Sequence, residues 1–178
     1  MPVINGWTVY AHPRLLDQLE KLTAAVEALK RKDPEGYSDH ANARLLAALL
    51  LLMFAKIPGD PTSTAYVQGK TLGPDRRHWF RSKFGAGRFR LFFRYGSRSR
   101  TIIFAWVNDE NSLRTYGSKT DACAVFKDML NDGNPPDDWD ELMRAASDAK
   151  ATARLDKAGT EAHEPDEGRT EPAPITPS

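Results

Sequence analysis

The chain has 178 residues, 25 Lys plus Arg against 24 Asp plus Glu, and a formal net charge of +1. That length and a 40% apolar share predict one folded domain with a real core. A single cysteine, Cys123, excludes an internal disulfide framework and a cysteine-based metal site.

The near-neutral total hides an asymmetry. Residues 1–67 carry seven basic and seven acidic side chains, whereas 68–100 carry ten basic side chains against Asp75 alone. Residues 101–130 are net −1, and 131–178 hold five basic and twelve acidic groups. A basic block beside an acidic end points to polyanion binding by the basic part. The longest apolar run, Leu45 to Ala55, is eleven residues, short of the roughly 18 that cross a bilayer. The N-terminus lacks a basic stretch followed by an apolar one, so no secretion signal is expected. These features predict a cytoplasmic protein with no membrane partner.

In chain order, residues 3–12 read as a short strand or extended lead-in. Pro13 suits a first helical turn, and Leu15, Leu16, Leu19, Leu22, Val26 and Leu29 recur at helical spacing. A helix over 13–32 follows. KDPEGY breaks it, and a second helix runs from Ser38 or Asp39 to Lys56, apolar nearly all round in its middle, until PGDP at 58–61 ends it. The period then changes. WFRSKF (79–84), RFRLFFRY (88–95) and TIIFAWVN (101–108) are aromatic and β-branched, with short turns between them. They predict a three-strand antiparallel meander, with Gln68–Leu72 as a fourth strand candidate. A helix is expected over 119–131, and PPDDW opens a last one with Asp137 or Asp138 as its cap. From about Ala151 the chain is Ala, Glu, Asp, Thr and Pro with almost no large apolar side chain, a composition read as disordered. The fold class is therefore α+β, with a domain over 1–145 and an acidic tail over 146–178.

Strand alternation turns the charge block into a surface. Arg81 and Lys83 share a side with Trp79, and Arg88, Arg90 and Arg94 share a side with Phe92. If the apolar sides face the N-terminal helices, the opposite face of the sheet presents five cations to solvent. Arg makes bidentate contacts with phosphate. Asp75 is the only acid between 68 and 108, so the clustered carboxylates of a two-metal nuclease are missing. RNA offers a metal-independent route, in which its own 2′-OH attacks the neighbouring phosphorus. That route needs preorganised cations on the non-bridging oxygens and groups that move protons. Candidates in and beside the block are His78, Lys83, Arg88, Arg90, Arg114 and Tyr116. His12 and His40 read as local helix caps or surface groups, and Cys123 as core.

NGWTVYAHP, KDPEGY, LGPDRRHWFRSKFGAGRFRLFFRY, WVNDENSLRTYGSKTDACAVFKDML and PPDDW together resemble the YhaV toxins of type II toxin–antitoxin systems, within the RelE/ParE-like superfamily. The similarity covers about residues 4–142. It implies a RelE-like fold, two N-terminal helices packed on a small antiparallel sheet followed by C-terminal helices. It implies an endoribonuclease that cuts mRNA on translating ribosomes without cofactor or metal, and arrests growth. The implied partners are a PrlF-like, AbrB-type antitoxin, mRNA and the ribosome, and operator DNA bound through the toxin–antitoxin complex.

Carried over residue by residue, the superfamily's basic strand matches Arg81 and Lys83, its strand arginine Arg90, and its tyrosine before the C-terminal helix Tyr116. A second superfamily arginine has no clean counterpart, and Arg114 stands in for it. The expected catalytic set is thus Arg81, Lys83, Arg90, Arg114, Tyr116 and His78, with Lys70, Arg76, Arg77, Arg88 and Arg94 holding RNA. The alternative is a non-catalytic module of the same fold that binds RNA or DNA and blocks translation or gyrase.

Overall fold

The computed structural model describes residues 1–109 and 121–163. Arg114 and Tyr116 lie outside the described residues. A five-stranded mixed sheet forms the middle layer, with strand order β1-β2-β5-β4-β3. The strands are β1 (Val3–Ile4), β2 (Trp7–Ala11), β3 (Phe80–Phe84), β4 (Phe89–Gly96) and β5 (Thr101–Val107). The expected meander is present as β3, β4 and β5, each antiparallel to the next. The sheet is wider than predicted, because β2 joins β5 in parallel, with Val9 opposite Ile102 and Ala11 opposite Phe104. Gln68–Leu72 is not a strand. Its buried Gln68 side chain instead donates to the Arg76 carbonyl and accepts from Leu72 N, organising a loop.

Helix α1 (Pro13–Lys32) matches its predicted span, and His12 caps it by accepting from Arg14 N at 3.1 Å. Helix α2 runs as one stretch over Ala41–Gly59. His40 caps it, and a π-turn at Leu52–Lys56 shifts its face. By length and composition α2 could cross a membrane, but Leu49, Met53, Phe54 and Ile57 are buried in the core. Leu51, 49% exposed, shows that one side of α2 stays in solvent. Helix α3 (Ala122–Asn131) is capped by Asp121, and α4 (Trp139–Ala146) by Asp138.

A last helix, α5 (Ala149–His163), occupies residues expected to be disordered. Few apolar residues suffice here, because Ala151, Leu155, Ala158 and Ala162 fall on one helical face and pack into the core. Gly159 lets α5 approach α2 closely, since a Cβ there would stand 3.2 Å from the Phe54 ring. Arg154 grips Glu20 of α1 through both carboxylate oxygens, at 2.6 and 2.9 Å, and reaches Asp17 at 2.6 Å. The predicted boundary at 145 therefore does not separate core from tail.

The sheet is covered on both sides. One face, with Val9, Leu91, Phe93, Ile102 and Phe104, packs on α1, α2 and α5. The other, with Tyr10, Phe92, Ile103 and Trp106, packs on α3 and α4. A bulge in β5 makes this possible: Phe92 pairs with Trp106 but Phe93 with Phe104, so Ala105 is the extra residue. Ala105 and Trp106 consequently both reach the second layer, where Trp106 stacks on Phe126 at 5.8 Å. The face expected to be open and cationic is thus capped by aromatics over much of its area.

Candidate functional site

The alternation predicted for the β3–β4 hairpin holds. Phe80 and Phe84 lie against the α1–α2 layer. Trp79 belongs to the opposite layer, the side to which alternation assigns Arg81 and Lys83. Arg81 pairs with Phe92 across the ladder, and Lys83 with Arg90. Lys83 and Arg88 are exposed, Arg81 is half-buried, and Arg90 is 2% exposed. Four cations thus cluster at the turn end of one hairpin. Phe92 is the β4 residue in the layer packed on α3 and α4, and Arg90 follows it on the same side toward the turn.

Asn108 fixes that end. Its Oδ1 accepts from Arg90 N at 2.6 Å, and its Nδ2 donates to the Arg88 carbonyl at 3.0 Å. The amide extends the β4–β5 pairing one residue past the strand, so the positions of Arg88 and Arg90 are set by a buried hydrogen-bond pair. Asn108 had no functional weight in the sequence; only its place directly after a strand, opposite an Arg-x-Arg, marked it. The Arg90 guanidinium also donates to the Gly87 carbonyl at 3.3 Å. Among the described residues, the buried Nε of Arg81 makes no hydrogen bond. A buried donor without a partner calls for an explanation, and a bound anion or water is one.

The other end of β3 is different. Asp137 Oδ1 accepts from the Trp79 indole at 2.7 Å and from His78 Nε2 at 2.8 Å, and Arg76 Nε stands 3.8 Å from Oδ2. Burial pushes the Asp137 carboxyl up. The bonds from Trp79 and His78, with the nearby His78 and Arg76 charges, outweigh it and hold the group below its ordinary value. An ionised carboxylate only accepts, so His78 Nε2 carries a proton toward it. Asp137 was read from sequence only as a possible cap; its contact with His78 comes from a tertiary approach over 59 residues.

The two ends lie apart along the chain: His78 sits in the turn before β3, and Lys83 near the far end of that strand. The structure therefore brings Arg81, Lys83, Arg88 and Arg90 together, and separates them from His78 and Arg76. Arg76 is engaged with Asn131 Oδ1 at 2.8 Å. Lys70 and Arg77 are exposed on the loop before β3.

Arg94, expected on an open RNA-binding face, is half-buried between two tryptophans instead. Its guanidinium lies 5.5 Å from the Trp79 ring and 5.1 Å from the Trp139 ring, and donates to the Asp137 carbonyl at 2.6 Å. Burial lowers its pKa from the usual arginine value. It pins the start of α4 to the sheet. Arg100 is likewise drawn over Trp7, at 4.8 Å. Among the described residues, no three His, Cys, Asp or Glu side chains stand together as a metal-holding group.

Residues 9–147 match the family model for a toxin with endonuclease activity, of a toxin–antitoxin system. Toxin YhaV of Escherichia coli O6:H1 is 48% identical over 147 residues, 82% of this chain and 96% of that protein. The ribonuclease toxin YhaV of Escherichia coli K12 is 50% identical over 142 residues, 79% of this chain and 92% of that one. No solved structure matches the chain. The matched region spans β2, both central helices, the whole hairpin and α4, and the chain belongs to the YhaV family of toxins with endonuclease activity, of toxin–antitoxin systems.

Proposed function

We propose that this chain is the toxin of a type II pair and cleaves mRNA on translating ribosomes by a metal-independent transesterification. The observation that carries the reading is the cation cluster at the β3–β4 turn, with Lys83 directly opposite Arg90. The pairing puts two cations side by side on one strand pair, where both can meet the oxygens of one phosphodiester. In this reading Arg81, Lys83, Arg88 and Arg90 hold the scissile phosphate and the charge that grows on its non-bridging oxygens. The 2′-OH of the upstream ribose attacks phosphorus, its proton passes to a base on the protein, and the bond to the 5′-oxygen breaks as that oxygen takes a proton. The products are a 2′,3′-cyclic phosphate and a 5′-hydroxyl.

Tyr116 and Arg114 are the proposed proton-transfer group and its assistant. The described chain leaves β5 through Asn108, whose Oδ1 accepts from Arg90 N. His78, with Nε2 held by Asp137, sits in the turn before β3, at the other end of that strand from the cluster. It joins Lys70, Arg76 and Arg77 in contacting the RNA on either side. The fold is proposed to be a RelE-like variant, widened by β2 and sealed by α5. The partner is proposed to be a PrlF-like, AbrB-type antitoxin that neutralises the cation cluster with an acidic or extended segment. The complex would then sit on operator DNA through the antitoxin. The toxin is placed in the cytoplasm, where its substrate is.

Induced expression followed by a map of new mRNA 5′ ends tests this reading. Cuts within coding regions, 5′ ends that a kinase labels without prior phosphatase treatment, and cleavage by the purified chain in EDTA are expected. Growth arrest with no new ends would replace cleavage by occupancy. Activity abolished by EDTA and restored by Mg²⁺ would overturn the mechanism.

A further inference from the structure

Beside the cation cluster lies a groove between α1, α2 and the ends of β4 and β5, of about 340 Å³. That is the small end of the range for small-molecule pockets, about 300–1,000 Å³. Leu22, Leu49 and Val107 make its floor, and the half-buried ring of Phe89 forms one wall. Asn42, Lys21 and Asp109 stand around it as the polar groups that a ligand would meet. We propose that this groove takes one unstacked nucleobase of the single-stranded RNA whose phosphate the cluster holds. The proposal rests on the RNA-binding reading of that cluster.

Three observations single out a base as the occupant. First, groove and cluster share a side chain: the Arg88 guanidinium lies 5.9 Å from the centroid of the Phe89 ring that lines the groove. A nucleotide bound through its phosphate at Arg88 therefore has an aromatic wall within reach of its base, and single-strand binders pair cations with stacking surfaces in this way. Second, the rim is built rigidly. Gln18 donates to the Val107 carbonyl at 2.6 Å and accepts from Val107 N at 3.2 Å, and Asn108 ties the same strand end to β4. Both amides are used up by backbone, so the groove keeps its shape without a ligand. Third, the Asn42 side chain makes no hydrogen bond among the described residues. Asn42 offers both a donor and an acceptor to the edge of a base, and Lys21 offers a cation to the adjoining phosphate.

The test uses the full chain and a six-nucleotide RNA with 2′-O-methyl sugars, which cannot be cut, so it does not depend on catalysis. Binding is measured by anisotropy while one base at a time is replaced by an abasic residue. Loss of about tenfold at one position is expected, the contribution of one stacked base. Ala25→Leu, which fills the groove from α1, should erase that position's effect and leave the salt dependence unchanged. Asn42→Ala, a smaller change on α2, should reduce it and alter which base is preferred there. Equal loss at every position, or a positional effect that survives both substitutions, overturns the proposal while leaving the cation cluster intact as an RNA site. No binding of the oligonucleotide at low salt overturns both.

Discussion

Lys83 and Arg90 oppose each other across the β3–β4 ladder, one exposed and one buried. The difference decides how each can be tested. Removing the buried guanidinium of Arg90 disturbs packing and the Gly87 contact as well as charge, so loss of activity in Arg90→Ala has two causes. Lys83 is exposed, and Lys83→Ala removes a charge with little change in packing. Cleavage by Lys83→Ala is expected to fall about 10²- to 10³-fold, the usual effect of deleting one group that stabilises transition-state charge. Its thermal midpoint should stay within about 2 °C of the parent, because exposed substitutions away from special features change stability little. A variant that cuts at the parent rate removes Lys83 from the site.

Arg94 makes the opposite prediction. Its charge is spent between Trp79 and Trp139 and on the Asp137 carbonyl. Arg94→Ala should destabilise the chain by about 2 kcal/mol, from lost cation–π contacts and a charged hydrogen bond. RNA affinity measured on the folded fraction should keep its slope against salt, since no phosphate contact is lost. A reduced slope would return Arg94 to the RNA-binding surface.

The contrast between these two arginines shows what was legible. Period-two alternation placed Arg81, Lys83, Arg90 and Arg94 on one side of the hairpin, and the register confirms it. Alternation says nothing about what covers that side. The cover comes from α3 and α4, and their apolar residues Phe126, Leu130 and Leu142 read equally well as packing anywhere. Local signals such as the caps at His12, His40 and Asp138 were readable because each acts within three residues. The parallel pairing of β2 with β5 joins segments about ninety residues apart, and the Asp137–His78 contact joins segments 59 apart. Neither leaves a mark in its own stretch of sequence.

Helix α5 was missed for a related reason, and it yields a further prediction. Composition suggested disorder, yet Leu155 is buried among the residues of the α1–α2 core and Ala151 sits beside it. Leu155→Ala should lower unfolding free energy by about 3 kcal/mol, the range for a leucine truncated in a packed core. Arg154→Ala should lower it by about 1 kcal/mol or less, because Asp17 and Glu20 are largely exposed and exposed ion pairs contribute little. Urea titrations of the two variants check the order. Equal and negligible effects would mean that α5 does not dock in solution.

Acid should act through His12. This side chain is buried at the start of α1, accepting from Arg14 N through Nδ1. Burial, and the neighbouring Arg14 charge, push its pKa down to about 4 from 6.5, with Asp17 opposing weakly. The folded chain therefore holds His12 neutral while the unfolded chain protonates it below pH 6.5. In that window the unfolded state binds more protons, so stability rises with pH. The contribution is complete above pH 6.5 and is lost as pH falls toward 4, by about 3 kcal/mol for a shift of this size. Asn also caps helices, so His12→Asn keeps the cap and removes the titration. Asp137, held below the ordinary carboxyl value, contributes to acid sensitivity at lower pH in both proteins and cancels in the comparison. Urea unfolding at pH 7.5 and pH 4.5 should show the parent losing more stability than His12→Asn, by about 2 to 3 kcal/mol. Parallel losses in the two proteins would place the acid-sensitive group elsewhere in the fold.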